Sequence, residues 1–239
     1  MTESTDLATK QTEDSGIIVR QPLKELVVQS IKDAIMREDL RPGQRLTEIG
    51  LAKRLGVGQA TIREALIDLE VQGFIQRRHR HKFVTDLSRA DIEAIYAVRV
   101  PLEKLAVEWL ALKKGENMEG VEKAYLRMAD AAQKGDLSGF KEADFAFHSA
   151  LWAAAGNVYL QNVLERLVPQ LFAFAIATVR HYHPPSEQLK TLADLHQSVL
   201  EGIRAGDIQS AQECLVRSMD VTWLAGLELG GHPPQTKER

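Results

Sequence analysis

Asp144, His148 and His196 are the side chains of this 239-residue chain whose types and spacing suggest chemistry at one point. Asp144 and His148 are four apart, so on a helix they share a face. His196 lies far along the chain, where a second helix could bring it to them. Two readings are open for such a set. A carboxylate and an imidazole one helical turn apart commonly form a hydrogen-bonded pair. A carboxylate with two imidazoles inside a helical bundle also suits a borderline divalent ion, Zn(II), Ni(II) or Mn(II). A metal-dependent enzyme would use the same groups to activate water, but no motif supplies a further acid or base, and the sequence reads as a non-enzyme. His181 and His183, two apart near a helix end, cannot face one way and read as surface residues.

A second chemistry is carried by charge. Arg77, Arg78, Arg80 and Lys82 fall within six residues, enough to bind phosphates and, if an arginine enters a minor groove, to sense its width. The formal net charge of −3 conceals an uneven distribution. Residues 1–19 carry one Lys and four acids, for −3; residues 20–86 carry 13 Lys/Arg and nine acids, for +4; residues 87–239 carry 16 and 20, for −4. A basic segment joined to an acidic one is the footprint of a nucleic-acid module and a partner module.

The elements that must position these groups follow from spacing. Residues 1–19 are polar and read as a disordered tail. After Pro22, apolar residues from Leu23 to Ile35 recur at spacings of three and four, predicting an amphipathic helix ending near Glu38. A turn at Arg41-Pro42-Gly43 precedes a helix over Glu48–Leu55, capped by Thr47 and stopped by Gly56. A third helix is expected over Gln59–Gln72, closed by Gly73. Phe74-Ile75-Gln76 and Lys82-Phe83-Val84-Thr85 read as short strands flanking Arg77 to His81. Two helices joined by a tight turn, then a basic hairpin, make a winged helix-turn-helix. From Ser88, a cap ahead of Asp91, the pattern is helical throughout, and five Gly, Pro or Asn breaks divide it into about six helices of an antiparallel bundle. The expected fold is therefore mainly α: a winged helix-turn-helix over 20–86 with a small β-hairpin wing, an all-α bundle over 87–231, and a loose tail over 232–239.

Hydrophobic content of 44% allows two modest cores. No apolar run approaches the roughly 18 residues of a membrane span, and the polar start lacks the apolar centre of a secretory signal, so a cytoplasmic protein with no membrane partner is expected. The single cysteine, Cys214, agrees with a reducing compartment and reads as core packing.

The residues resemble the GntR family of bacterial regulators, in the FadR-like branch whose C-terminal domain is called FCD. The resemblance is carried by Ile35, Leu40-Arg41-Pro42-Gly43-Gln44-Arg45-Leu46, Leu51-Ala52, Leu55-Gly56-Val57, Ile62-Arg63-Glu64-Ala65-Leu66, and Leu69-Glu70 with Gly73. Further along it rests on Arg99 with Leu102-Glu103, Asp144 with Phe147-His148, Gly156-Asn157, His196, Gly206-Asp207 and Ala211. It implies a ligand-responsive transcription repressor, a homodimer on a near-palindromic operator. A recognition helix presents its first residues to base edges, so Gln59, Ala60, Thr61 and Arg63 are the expected contacts, with Arg45, Arg77, Arg78, Arg80 and His81 from the strand and wing. Where the family usually has Ser-Arg-Thr-Pro, this chain has Gly58-Gln59-Ala60-Thr61, and His81 stands where Gly is usual, at a place that could need positive φ.

In the second domain the resemblance implies metal binding by Asp144, His148 and His196. The fourth family ligand, a histidine, has its place at Ser218. It also implies a small organic-acid effector, such as a sugar acid or dicarboxylate, held by Arg99, with Asn157 and Arg166 as further candidates; the alternative for Arg99 is an ion pair with Glu103. Effector binding would release or reposition the DNA domains.

Overall fold

The computed structural model describes residues 22–178 and 186–229. In chain order the elements are α1 (Leu23–Met36), β1 (Arg45–Leu46), α2 (Glu48–Leu55), α3 (Gln59–Val71), β2 (Ile75–Arg78), β3 (His81–Val84), α4 (Arg89–Leu112), α5 (Glu119–Lys134), α6 (Leu137–Ala154), α7 (Val158–Leu167), α8 (Pro169–Thr178), α9 (Ser186–Ala205) and α10 (Ile208–Leu229). The two expected tails, and His181 and His183, lie outside the described residues.

The stripe of α1 buries Val27, Ile31, Ala34 and Ile35 against the Ile62, Leu66 and Leu69 face of α3. α1 stops two residues before the expected Glu38, which turns the chain with a φ of +62°. The helix-turn-helix is punctuated as its sequence implies. Thr47 Oγ1 accepts the Gly50 N–H at 3.1 Å, and Gly56 ends α2 in the left-handed region at φ +68°. Because that hydroxyl satisfies a first-turn donor, Thr47→Ala should cost about 1 kcal/mol, read as a lower thermal unfolding midpoint.

The wing is tighter than the sequence suggests. β2 and β3 pair from Ile75↔Val84 to Arg78↔His81, so the turn contains only His79 and Arg80. The positive φ falls on His79, at +55°, and His81 sits in β3 rather than at the tip. β1, which has no alternation to reveal it in two residues, pairs Arg45 with Phe83 and Leu46 with Lys82 and gives the order β1-β3-β2.

Ser88 and Asp91 form a reciprocal capping box at the start of α4. Seven described helices follow where six are expected. The extra break is at Pro169, whose missing N–H cannot continue α7 and which hides within the apolar run Leu167-Val168 and Leu171-Phe172. Phe140, Phe147 and Trp152 of α6 are fully buried at the bundle centre, and Cys214 is half-buried against the same core. None of the described helices is long and apolar enough to cross a membrane.

The two parts make a close approach at Gly73. Gly73, just past α3, has φ +78°, and a Cβ there would lie 2.3 Å from the backbone C of Pro169 and N of Gln170 at the start of α8. Leu171 of α8 joins Leu87, Ile92 and Ile95 in a small core beside this contact.

Candidate DNA-binding face and effector centre

Within the bundle, α6 stacks Asp144 and His148 one turn apart, and α9 brings His196 to them. All three are at least 98% buried. His196 Nε2 is 3.1 Å and His148 Nε2 3.5 Å from Asp144 Oδ1, and one ligating atom from each residue lies within 4.8 Å of the others. The far nitrogens settle the tautomers. His196 Nδ1 is 2.7 Å from the Leu192 carbonyl and His148 Nδ1 2.5 Å from Glu103 Oε2, both obligate acceptors, so each Nδ1 carries the proton. In their neutral form the rings therefore point Nε2 lone pairs at a carboxylate oxygen that can only accept. Among the described residues, Asp144 Oδ1 and His196 Nε2 are buried without a hydrogen-bond partner. Converging lone pairs with no proton between them fit a cation, and the outer Glu103 and Leu192 contacts are the partners that hold ligating imidazoles in place.

Charge around the centre is coupled. Burial raises the Glu103 carboxyl, but the Arg99 guanidinium and His148 outweigh it and bring its pKa to about 2. Asp144 is likewise held well below the usual carboxylate range, with burial opposed by His148 and His196. His148 is raised: burial lowers it, and Glu103 more than compensates.

The remaining candidates separate. Arg99 is buried on α4, its Nε donating to Glu103 Oε1 at 2.6 Å, with its guanidinium 5.2 Å from the Phe172 ring centroid and 5.5 Å from that of Tyr96. The ion pair weighed as its alternative is thus formed. Asn157 caps a helix: its Oδ1 accepts the Tyr159 and Leu160 N–H groups at the start of α7. Arg166, on the same helix, is exposed rather than turned inward. Ser218 is buried on α10 and donates to the Leu215 carbonyl at 2.7 Å. Sequence reasoning missed the bridging role of Glu103, which only three-dimensional packing reveals, and Lys141, whose signal was its place three residues before Asp144 on one helix face.

On the other part, Gln59 and Ala60 are exposed and Thr61 half-buried at the start of α3, whose cap residue Gly58 has no side chain to occupy the first amides. Arg63 is exposed but held by Glu48 of α2, with Nη2–Oε2 at 2.9 Å. Arg77 is held by Glu70 at 3.1 Å, and Lys82 Nζ lies 3.6 Å from the same carboxylate. Arg45 Nη2 is 2.9 Å from His81 Nδ1, Arg78 Nη2 donates to the Asp86 carbonyl, and exposed Arg80 occupies the wing tip.

Comparison with known sequences matches residues 23–84 to "Bacterial regulatory proteins, gntR family" and residues 94–221, more than half the chain, to "FCD domain". The chain belongs to the GntR family. Members of this family are DNA-binding transcription regulators rather than enzymes. Among its relatives, the HTH-type transcriptional regulator YdhC of Bacillus subtilis (strain 168) is 27% identical over 189 residues, covering 77% of this chain and 81% of that protein. The HTH-type transcriptional repressor GlaR of Escherichia coli (strain K12) is 26% identical over 195 residues, covering 77% and 87%. A solved structure titled E. coli McbR/YncC superposes with a TM-score of 0.67 at 19% identity, over 87% of this chain and 99% of that one, which shows a shared fold. The winged N-terminus and helical C-terminal part are thus those of a GntR regulator with an FCD domain.

Proposed function

We propose that this GntR-family protein is a cytoplasmic repressor in which residues 20–86 bind a near-palindromic operator and residues 87–231 form a homodimer and sense a small organic acid. The observation that carries this reading is the pairing, in one chain, of an exposed α3 start flanked by a basic wing with a buried centre of unsatisfied ligating atoms. Gln59 can pair bidentately with adenine, and the uncapped first turn of α3 suits a phosphate. Asp144, His148 and His196 would hold a divalent ion, with Ser218 in place of a fourth strong ligand, so that a coordination position stays open for an effector carboxylate. Dimerisation through α7 is supported by its exposed Val158, Tyr159 and Val163.

α8 supports coupling between the two functions. Phe172 packs on the Arg99 guanidinium and 6.1 Å from the His148 ring centroid, and less than one turn earlier the same helix presses its backbone on Gly73 at the end of α3. A change at the centre that moves Phe172 moves the seat of the recognition helix.

Electrophoretic shift of the protein's own upstream DNA against a scrambled duplex tests the reading. A specific shift at moderate salt is expected; equal affinity for both duplexes overturns it. Gln59→Ala should cost about 1–3 kcal/mol on the operator and relax preference at one base step, measured by binding to single-base operator variants. Tyr159→Glu with Val163→Glu should yield monomers by light scattering.

A further inference from the structure

Lys82 lies on β3, the central strand of the wing sheet, with Leu46 opposite it on β1 and Arg77 opposite it on β2. Cations directly opposed on one face of a sheet repel, so a carboxylate has to hold them together. Glu70 of α3 does so. It receives two bonds from Arg77, Nε to Oε1 and Nη2 to Oε2, both at 3.1 Å, while Lys82 Nζ stands 3.6 Å from Oε2. Among the described residues that buried ammonium donates no hydrogen bond. The Lys82 side chain is 14% exposed, against 55% for Arg77 and 61% for Arg63.

Two carboxylates thus share three cations. The bonds from Arg63 hold the Glu48 carboxyl below its usual range and those from Arg77 do the same for Glu70, and the Lys82 charge adds to the effect at both. A duplex can reach the two arginines, but Lys82 is covered. When phosphates take Arg63 and Arg77, Glu48 and Glu70 are left beside a polyanion, and Lys82 is the cation common to both that stays behind.

We propose that Lys82 is a positioning residue, which neutralises Glu48 and Glu70 once Arg63 and Arg77 have turned to phosphates and touches no phosphate itself. The inference rests on the DNA-binding reading of this face, and it gives Lys82 a part different from that of the wing arginines among which its place in the sequence counts it. Removing the charge has two effects of one sign. Each arginine is held harder by a carboxylate that has lost its other cation, and each carboxylate left behind repels the duplex in full.

The test is a double-mutant cycle on the full-length protein, read by fluorescence anisotropy on a duplex of its own upstream DNA. Lys82→Met, which keeps an aliphatic stem, should weaken binding about fivefold, the effect of one partly exposed ion pair. Lys82→Arg, which keeps the charge, should bind within about twofold of the unaltered protein. In a Glu48→Gln, Glu70→Gln background no carboxylate needs neutralising, so adding Lys82→Met should change affinity by less than about twofold. In that background it should also leave unchanged the slope of log K against log salt, which loses about one unit for each phosphate contact removed. Lys82→Gln repeats the cycle should the thermal midpoint of Lys82→Met show misfolding. An equal loss in both backgrounds, with the slope reduced by about one, makes Lys82 a phosphate ligand and overturns the inference. So does full affinity in Lys82→Met alone, or a loss in Lys82→Arg as large as that in Lys82→Met. Each of these results leaves the DNA-binding reading standing, whereas absence of a specific complex with the unaltered protein overturns both.

Discussion

Glu103→Ala is expected to lower the stability of the metal-free protein by about 3–5 kcal/mol, the cost of stranding a buried charge and a large share of a typical domain's stability. Glu103 is fully buried and divides its oxygens between Arg99 at 2.6 Å and His148 at 2.5 Å. Without it the Arg99 guanidinium keeps, among the described residues, the Tyr96 and Phe172 rings and the more distant charge of Asp144. Chemical denaturation measures the loss, and a change under 1 kcal/mol would contradict the buried-pair account. Glu103→Gln separates packing from tautomer. The amide oxygen can still receive Arg99, but the amide N–H₂ then faces His148 Nδ1 and drives the ring proton to Nε2, where it occupies the lone pair aimed at Asp144. Zn(II) affinity should fall about 10–100-fold with less damage to the fold. Acid has a related effect. The Glu103 pKa is depressed from 4.5 to about 2, so its stabilisation is complete above pH 4.5 and is lost as pH falls through the window toward 2; Asp144 acts in the same direction.

Gly73→Ala is expected to uncouple the two parts of the molecule. At φ +78° any side chain carries a conformational cost of about 1 kcal/mol, and the added Cβ would lie 2.3 Å from the α8 backbone, which cannot rotate aside like a side-chain end. α8 must then withdraw, and the fold-change in operator affinity on adding effector should drop toward one. Gly56→Ala is the matched control. Its φ is +68°, yet nothing lies within 4 Å of the added carbon, so it carries the backbone cost alone and should leave the effector response intact. If both variants respond to effector alike, the Gly73 contact transmits nothing.

The sequence made the helical framework legible where chemistry was local. Thr47, Gly56 and Ser88 announce helix ends through single hydrogen bonds or a single dihedral, and the structure places the ends of α2 and the start of α4 at those residues. What escaped depended on partners distant in the chain. β1 is two residues long and exists only because Phe83 and Lys82 offer it a ladder. The α7–α8 break escaped because Pro169 lies in an apolar stretch whose periodicity continues across it. At the centre, the four-residue spacing of Asp144 and His148 put them on one face, but Glu103 bridging Arg99 to His148 spans 45 residues between α4 and α6 and leaves no local trace. The capping role of Asn157 escaped for a related reason: an Asn after Gly serves a cap or a cavity equally well in sequence, and the cap shows only in its bonds to the Tyr159 and Leu160 amides.

The pairing of Arg63 with Glu48 and of Arg77 with Glu70 has a kinetic consequence. On the proposed DNA-binding reading, each arginine meets the duplex already engaged, so a phosphate must displace a carboxylate instead of merely shedding counterions, and random sequence offers little in return. Sliding complexes on wrong sequences are therefore short-lived, and dependence on ionic strength is shallower than the number of cations on this face implies. Only a site whose base edges reward Gln59 and its neighbours holds the protein long enough for the arginines to change partners, which shortens the time lost between operators on a chromosome.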